Sequence, residues 1–333
     1  MDPITQGVFG ALAAQACANK TQFAKAAVIG ALAGMAPDLD VFIRSEADPL
    51  LYLEFHRHFT HSLFFIPIGG TLCGLFFFVC LRSWWGVSVT QCLLWSIVGF
   101  ATHGLLDACT SYGTYLLWPF NNQRIAWDWV SVIDPLITLP LIALVLAAVF
   151  FRKKNLVGLA ALWLTIYFSL AAYQHSRALD WGQQLAVSRG HAAAQIHAKP
   201  SFGNIIIWKV LYENDGVLYV DAVKPGVFTT VFWQGEQINK LVVARDLPWL
   251  DENSQQARDI ARFSEFSMGF IAVDPSKPLR IVDVRYSQLP HRINPLWGIE
   301  LLKEAGPEQH ANYVTQRDDS REALPVLLKM LVE

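Results

Sequence analysis

A chain of 333 residues with 53% hydrophobic and only 16% charged residues has room for two domains and leans toward a membrane class. Its 26 basic and 28 acidic residues leave a net charge of −2, so it lacks the positive field that attracts nucleic acid, and no nucleic-acid partner is expected. Cys17, Cys73, Cys80, Cys92 and Cys109 form no CxxC pair and none follows Cys109, which excludes a disulfide framework in the later half; they read as buried small hydrophobes.

The charge is unevenly placed. Residues 1–174 carry 9 Lys+Arg and 9 Asp+Glu, and the shorter remainder carries the other 17 and 19. The first part suits the lipid bilayer and the second suits water. The start, Met1-Asp2-Pro3, lacks the basic region of a cleavable signal, so insertion is expected to rely on the helices themselves.

Gly7–Ala18 and Ala26–Ala36 are short and rich in Ala and Gly, as in helices that pack closely against neighbours. Leu63–Leu81, Cys92–Leu106, Leu136–Phe151 and Leu156–Ala172 are nearly uncharged and near the ~20 residues that cross a bilayer, which predicts four spanning helices. Lys20, Lys25, Arg82, Arg152, Lys153 and Lys154 then fall on one face. By the positive-inside rule that face is cytoplasmic, and the opposite face of this multi-pass inner-membrane protein is periplasmic.

Beyond about residue 200 the pattern turns to strands. Asn204–Leu211 and Gly216–Val223 flank the turn signal Glu213-Asn214-Asp215-Gly216, and Val227–Trp233, Lys240–Ala244, Gly269–Val273 and Leu279–Tyr286 extend the series. Gln255–Phe266 and Ser320–Val332 read as helices. The expected fold is an α-helical membrane domain over 1–175, with four spanning helices plus two shorter N-terminal ones, followed by a small α+β soluble domain over 176–333 on the periplasmic side.

Polar residues gather at the non-basic ends of the membrane helices: Pro37-Asp38-Leu39-Asp40, His56-Arg57-His58-Phe59-Thr60-His61-Ser62, and His103-x-x-x-Asp107. The i,i+4 spacing of His103 and Asp107 sets both on one helical face, at a depth where ionisable groups are costly and therefore point to function. A helix-terminal ion pair would explain that pair alone, and a polar turn would explain Asp38 and Asp40 alone. Together with His56, His58 and His61 they make a mixed nitrogen and oxygen set suited to a divalent metal: zinc first, manganese second, or two ions. Such a site supports hydrolysis, and no Gly-x-Ser-x-Gly elbow, Walker loop or Cys/His nucleophile competes with it. His58 and Arg57 in the same motif, with Arg124 beyond Thr110-Ser111-Tyr112-Gly113-Thr114, are the candidates for the catalytic chemistry and for holding an anionic headgroup. Trp118, Trp127 and Trp129 read as an interfacial aromatic belt, and Asp134 before Pro135 as a helix cap.

These motifs, with Met1-Asp2-Pro3-Ile4-Thr5-Gln6-Gly7, Leu117-Trp118-Pro119-Phe120 and Ile133-Asp134-Pro135, occur in one order over residues 1–175. In this the chain resembles the bacterial membrane-bound, metal-dependent hydrolase family of the YdjM type. The resemblance implies a hydrolase distantly related to zinc-dependent phospholipase C and single-strand nucleases, with Asp38, Asp40, His56, His61, His103 and Asp107 as metal ligands. One departure is Gln6, where some members carry a histidine. The expected activity is metal-dependent phosphoester hydrolysis of a lipid-linked or envelope substrate. The competing reading is a non-catalytic membrane scaffold whose His/Asp cluster is a structural metal or polar staple.

Overall fold

A computed structural model of the protein describes residues 1–192, 195–226, 228–316 and 320–333. The chain divides into two units: the first comprises Met1–Phe42, Phe55–Tyr173 and Phe202–Asn204, the second Ile43–Glu54, Gln174–Ser201 and Ile205–Glu333.

The first unit is helical. Helices α1 (Pro3–Ala16) and α2 (Phe23–Met35) are followed by a 3-10 stretch, Ala36–Phe42. After a short α3 (Leu51–Phe55), which lies mostly in the second unit, come α4 (Ile66–Trp85) and α5 (Val89–Ala108). Helix α6 (Pro135–Phe151) and the 35-residue α7 (Lys154–Ser188), whose residues from Gln174 on belong to the second unit, complete the helical series. The sequence marks the helix starts by their chemistry. Asp2 accepts from Thr5 N at the head of α1, Ser88 and Gln91 form a capping box on α5, and Asp134 accepts from Leu136 N ahead of Pro135 on α6.

Four spans were expected, and among the described residues three helices are long and apolar enough to cross a membrane: Leu63–Trp85, Val89–Ala108 and Lys154–Ser188. The fourth, α6, has 17 residues, interrupted by Pro140. Its rise of about 26 Å falls short of a ~30 Å hydrocarbon core. Helix α7 runs well past the expected end at Ala172, because nothing in residues 173–188 breaks a helix once the apolar stretch has ended.

Helices α1, α2 and α5 touch backbone to backbone. A methyl group added at Gly10 would lie 2.2 Å from the carbonyl oxygen of Gly30, and one at Gly99 would lie 2.5 Å from the same oxygen. Small residues in the first two helices therefore do what their composition suggested: they let helices with little side-chain bulk approach closely. Of the cysteines, Cys92 and Cys109 are buried as expected, but Cys17 and Cys80 are exposed, the price of reading burial from apolar surroundings that face outward.

The second unit holds two four-stranded antiparallel sheets, in the order β1-β2-β3-β4 and β5-β6-β7-β8. The first is built from β1 (Ile196–Pro200), β2 (Trp208–Asn214), β3 (Val217–Pro225) and β4 (Thr230–Asn239). The Asn214↔Val217 pair is closed by Asp215 and Gly216, both with positive φ (49° and 74°), the hairpin turn that Asn-Asp-Gly signals. Val227, within an expected strand, lies outside the described residues. The expected strand at Lys240–Ala244 is instead a short helix, α8 (Val243–Asp246), whose start is tied by Val242 N donating to the Asp246 carboxylate at 2.9 Å.

Helix α9 (Gln255–Phe266) matches its predicted bounds and is capped by Ser254. The second sheet contains β5 (Ile271–Asp274), β6 (Lys277–Asp283), β7 (Trp297–Glu300) and β8 (Asn312–Thr315), and α10 (Ser320–Val332) follows.

The Gly10–Gly30–Gly99 contact yields a direct test. Gly30→Val should destabilise the protein in detergent by at least about 1–3 kcal/mol, the usual cost of overpacking, because the obstructing atoms are backbone. Gly158→Ala, where a methyl group meets nothing within 4 Å, should leave the thermal unfolding midpoint unchanged or slightly raised.

Candidate metal centre

The motifs from three parts of the first unit meet at one end of its helices. Asp38 and Asp40 come from the 3-10 stretch that ends α2, His56 and His61 from the segment before α4, and His103 and Asp107 from the last turns of α5. The approach is close because residue 104 is glycine: a methyl group there would fall 2.0 Å from the His61 carbonyl oxygen.

Asp38, His61, His103 and Asp107 each offer one atom to a common space, and so do Asp38, Asp40 and His56; within each group the atoms lie within 4.8 Å of one another. Either group could hold a metal ion. In the first, Asp38 Oδ1 is 3.4 Å from His61 Nε2 and 3.3 Å from His103 Nε2. Asp107 Oδ2 is 3.3 Å from His61 Nε2 and 3.7 Å from His103 Nε2, and the two Nε2 atoms are 2.9 Å apart. Tetrahedral ligands at ~2.0–2.1 Å from zinc are separated by about 3.3–3.4 Å, so these edges outline a cage of nearly the right size.

The outer nitrogens explain why the inner ones face each other. His103 Nδ1 is 2.5 Å from the Gly34 carbonyl oxygen, which can only accept, so Nδ1 carries the proton and Nε2 presents a lone pair. His61 Nδ1 meets Asp40 Oδ2 at 3.2 Å and Thr60 Oγ1 at 3.0 Å, which likewise favours a proton on Nδ1. Two imidazole lone pairs 2.9 Å apart repel unless a positive charge lies between them. A proton or a metal cation can supply it.

The electrostatics agree with the proton when no metal is bound. Burial works against a charged His61, but its hydrogen bonds to Asp107, Asp38 and Asp40 outweigh burial and raise it to about 10. Burial also works against ionised Asp38 and Asp40, yet bonds to His103 and His61 hold the first well below the usual carboxylate range, and bonds to His56 and His61 do so for the second.

Asp40 is the hub of the loop. It accepts from His56 Nδ1 at 2.8 Å, Arg57 N at 2.9 Å and Thr60 Oγ1 at 3.0 Å, in addition to His61. Arg57 is buried in a left-handed conformation (φ 65°), with Nε 3.2 Å from Asp107 Oδ2, Nη1 donating to Thr110 Oγ1 at 3.0 Å, and its guanidinium over the Tyr112 ring. A non-glycine residue held at positive φ against a buried carboxylate is the kind of strain that collects at functional sites.

Not every expected residue joins the cluster. The His58 ring lies among Tyr115, Trp118 and Phe59, 4.6 Å from the first, and belongs to neither ligand group. Arg124 stacks on the Tyr115 ring at 4.7 Å. Asp134 caps α6 as the sequence indicated and also accepts from the Tyr167 hydroxyl at 2.7 Å. Gln6 plays a part the sequence did not reveal: fully buried, it donates Nε2 to Asp107 Oδ1 at 2.9 Å, where the Met1 nitrogen also donates. An amide is a poor zinc ligand beside an imidazole, but it can orient the carboxylate that serves as one.

A protein with apolar, membrane-length helices and a cluster of histidines and aspartates at one end of them is thus the class that the fold and the site define. Residues 1–178 match the YdjM inner membrane protein family, and since this is more than half of the sequence, the chain belongs to that family. It is 32% identical over 102 residues to inner membrane protein YbcI of Escherichia coli (strain K12), covering 30% of this chain and 57% of that protein. It is 31% identical over 121 residues to a Bacillus subtilis (strain 168) protein named uncharacterized protein YfhP, covering 34% of each. The chain therefore spans about half and a third of the length of these curated relatives. No solved structure matches it significantly.

The protonation of His61 sets a pH dependence for protein stripped of divalent ions. A pKa raised from ~6.5 in the unfolded chain to about 10 in the fold contributes stability that is complete below ~6.5 and is lost as pH climbs toward 10. Asp38 and Asp40 act in the opposite sense, their contribution fading as pH falls below ~4. The chelated protein should therefore be most resistant to thermal unfolding between about pH 4 and 6.5, with its unfolding temperature sloping downward on the alkaline side in a way that His61→Asn removes.

Proposed function

We propose that the protein is a membrane-bound metal-dependent hydrolase, with zinc as the first-choice metal and a phosphoester of a lipid-linked or envelope molecule as substrate. The observation that carries this reading is the cage itself: two imidazole Nε2 atoms and two carboxylate oxygens at tetrahedral spacing, with both Nδ1 atoms engaged by oxygen partners. The donor set fits a borderline cation, since imidazole and carboxylate together suit zinc or manganese and, among the described residues, neither ligand group includes a cysteine that would favour a softer ion. A divalent cation at such a site supplies Lewis acidity and a means of making water nucleophilic at neutral pH.

The chain's own residues supply the rest. Asp38, His61, His103 and Asp107 hold the cation, and Asp40 with His56 forms an adjoining pocket for a second ion or a proton-accepting outer shell. Asp40 and Gly34 fix the two ring orientations, and Gln6 fixes Asp107. Arg57 balances the buried Asp107 carboxylate and keeps guanidinium hydrogens beside the cage, where a phosphoryl oxygen needs them. Arg124, partly exposed on Tyr115, is the residue assigned to an anionic headgroup. The flanks of the acidic motif are apolar and open, with Leu39 62% and Phe42 69% exposed, which suits a substrate with an acyl or prenyl tail.

The charge pattern supports a periplasmic cage. Lys25 Nζ donates to Trp85 O at the opposite ends of α2 and α4 from the cluster, so the basic turns at Lys20–Lys25 and Arg82 share the far face, the cytoplasmic one by the positive-inside rule. We place the C-terminal unit in the periplasm as well, a reading that requires α6, short as it is, to cross beside α4, α5 and α7.

His103→Ala and Asp107→Ala should each reduce bound zinc and hydrolysis of bis(p-nitrophenyl) phosphate and of a short-chain phosphatidic acid to background, while detergent-solubilised protein stays folded. Asp40→Asn, which keeps the ligands but weakens the orientation of His61, should lower metal affinity by about 10–100-fold. Zinc bound in full by either alanine variant, or a large fall in unfolding temperature with wild-type zinc content and no hydrolysis by the wild type, would establish the scaffold reading instead.

A further inference from the structure

The second unit contains a cleft of about 470 Å³ that the metal chemistry does not use. Arg189, His191, Tyr219, Asp221, Gln234, Gly235, Glu236 and Gln237 line it, from the end of α7 and from strands β3 and β4. Its volume lies in the range of small-ligand sites, ~300–1,000 Å³.

The floor is built with some care. Between Val220 and Ala222 the β3–β4 register shifts, with one more residue on β4 than on β3. Asp221, 1% exposed, completes the broken ladder by accepting from Gly235 N at 3.0 Å, and Arg189 clamps the same carboxylate through two nitrogens at 2.6 and 2.9 Å. No side chain is tolerated at Gly235, where a methyl group would lie 2.1 Å from Val220 O and 2.3 Å from His291 O. Bulges of this kind re-aim side chains beside binding sites. Here the bulge falls at Gln234 and Gly235, on the cleft wall.

The charges are balanced internally. Arg189 is consumed by Asp221 and by the Tyr212 hydroxyl at 3.0 Å, and Glu236 is consumed by Arg292 Nη1 and Ile293 N, both at 2.6 Å. A phosphate or carboxylate ligand would have to displace a bidentate pair whose carboxylate, Asp221, is buried, which is costly. Uncharged groups remain available. The side-chain amides of Gln234 and Gln237 and the hydroxyl of Tyr219 make no hydrogen bond among the described residues. Beside them stands an aromatic wall: Tyr212 and Tyr219 stack at 5.1 Å, and His191 packs on Tyr219 at 4.6 Å with its Nδ1 3.0 Å from the Tyr212 hydroxyl.

Neutral amides that both donate and accept, next to aromatic rings and away from uncompensated charge, match a ligand with many hydroxyls and an apolar C–H face. We propose that this cleft is a binding site for a neutral carbohydrate, a sugar or short glycan headgroup, held by Gln234 and Gln237 with the His191–Tyr219 wall beside it. The proposal does not depend on the metal centre, which lies in the first unit.

Full-length protein in lipid nanodiscs, without a glycoside detergent that would itself compete, would be titrated with maltose, N,N′-diacetylchitobiose and, as a charged control, sodium phosphate, with saturation-transfer NMR as the readout. We expect saturable transfer to at least one of the two sugars and none to phosphate. The Gln234→Ala/Gln237→Ala double variant should weaken the sugar at least tenfold, while His103→Ala leaves it unchanged; Tyr219→Phe, which keeps the ring and removes only the hydroxyl, should weaken it a few-fold. Both glutamines are exposed on β4, so the double variant is expected to fold, as its circular dichroism would verify. Absence of transfer to both sugars, equal transfer in the double variant, or phosphate binding that the sugars do not match would each overturn the assignment.

Discussion

The first unit is organised around the burial of four ionisable groups in one place. His61, His103 and Asp107 are at most 2% exposed, and Asp38 closes the cluster from a partly open position. Isolated charges there would each cost several kcal/mol, so they persist only because they satisfy one another or a shared cation. The polar groups around the cluster follow from that constraint. Gly34 O and Asp40 take the outer imidazole hydrogens, Gln6 and the Met1 nitrogen take one Asp107 oxygen, and Arg57 stands against the other.

The packing of the helices serves the same end. Gly10, Gly30 and Gly99 allow α1, α2 and α5 to approach until their backbones touch, and Gly104 admits the His61 backbone against α5. Without such contacts, residues 69 positions apart, Asp38 and Asp107, could not share a cage. The caps at Asp2, Ser88 and Asp134 set where each helix begins, and hence which residues fall at the polar end. Membership of the YdjM inner membrane protein family covers this unit. The hydrolytic reading is a proposal built on the geometry.

Much of this was legible in the sequence because the signals were local or strongly constrained. His103-x-x-x-Asp107 declares a shared helix face, Ser254 before an amphipathic stretch declares the start of α9, and Asn-Asp-Gly declares the hairpin turn at Asp215-Gly216. What stayed hidden depended on tertiary context. Gln6 stands out in the sequence only as a departure at a position where some family members carry a histidine, and its role toward Asp107 stayed hidden, since an amide in an apolar helix looks alike whether it orients a ligand or meets a backbone carbonyl, as Gln15 does with Val145. His58 and His61 are three residues apart in one motif, yet the 3-10 turn at Phe59–His61 sends one ring among aromatics and the other into the cage. Strands β1, β7 and β8 are four or five residues long and lack a run of alternation to announce them. Nor did the sequence show that Ile43–Glu54 belongs with the second unit; there Asp48 and Glu54 meet Arg262, a pairing set by the fold at more than 200 residues' separation.

The central claim is that two imidazoles and two carboxylates form one cation cage. X-ray absorption at the zinc K edge, on protein loaded with one equivalent of zinc in nanodiscs, reads that cage directly. The account predicts a four-coordinate shell of nitrogen and oxygen at ~2.0–2.1 Å with the outer-shell scattering of two imidazoles, reduced to one in His61→Ala and in His103→Ala. A six-coordinate, all-oxygen shell without imidazole scattering, or a spectrum that neither substitution alters, would contradict it.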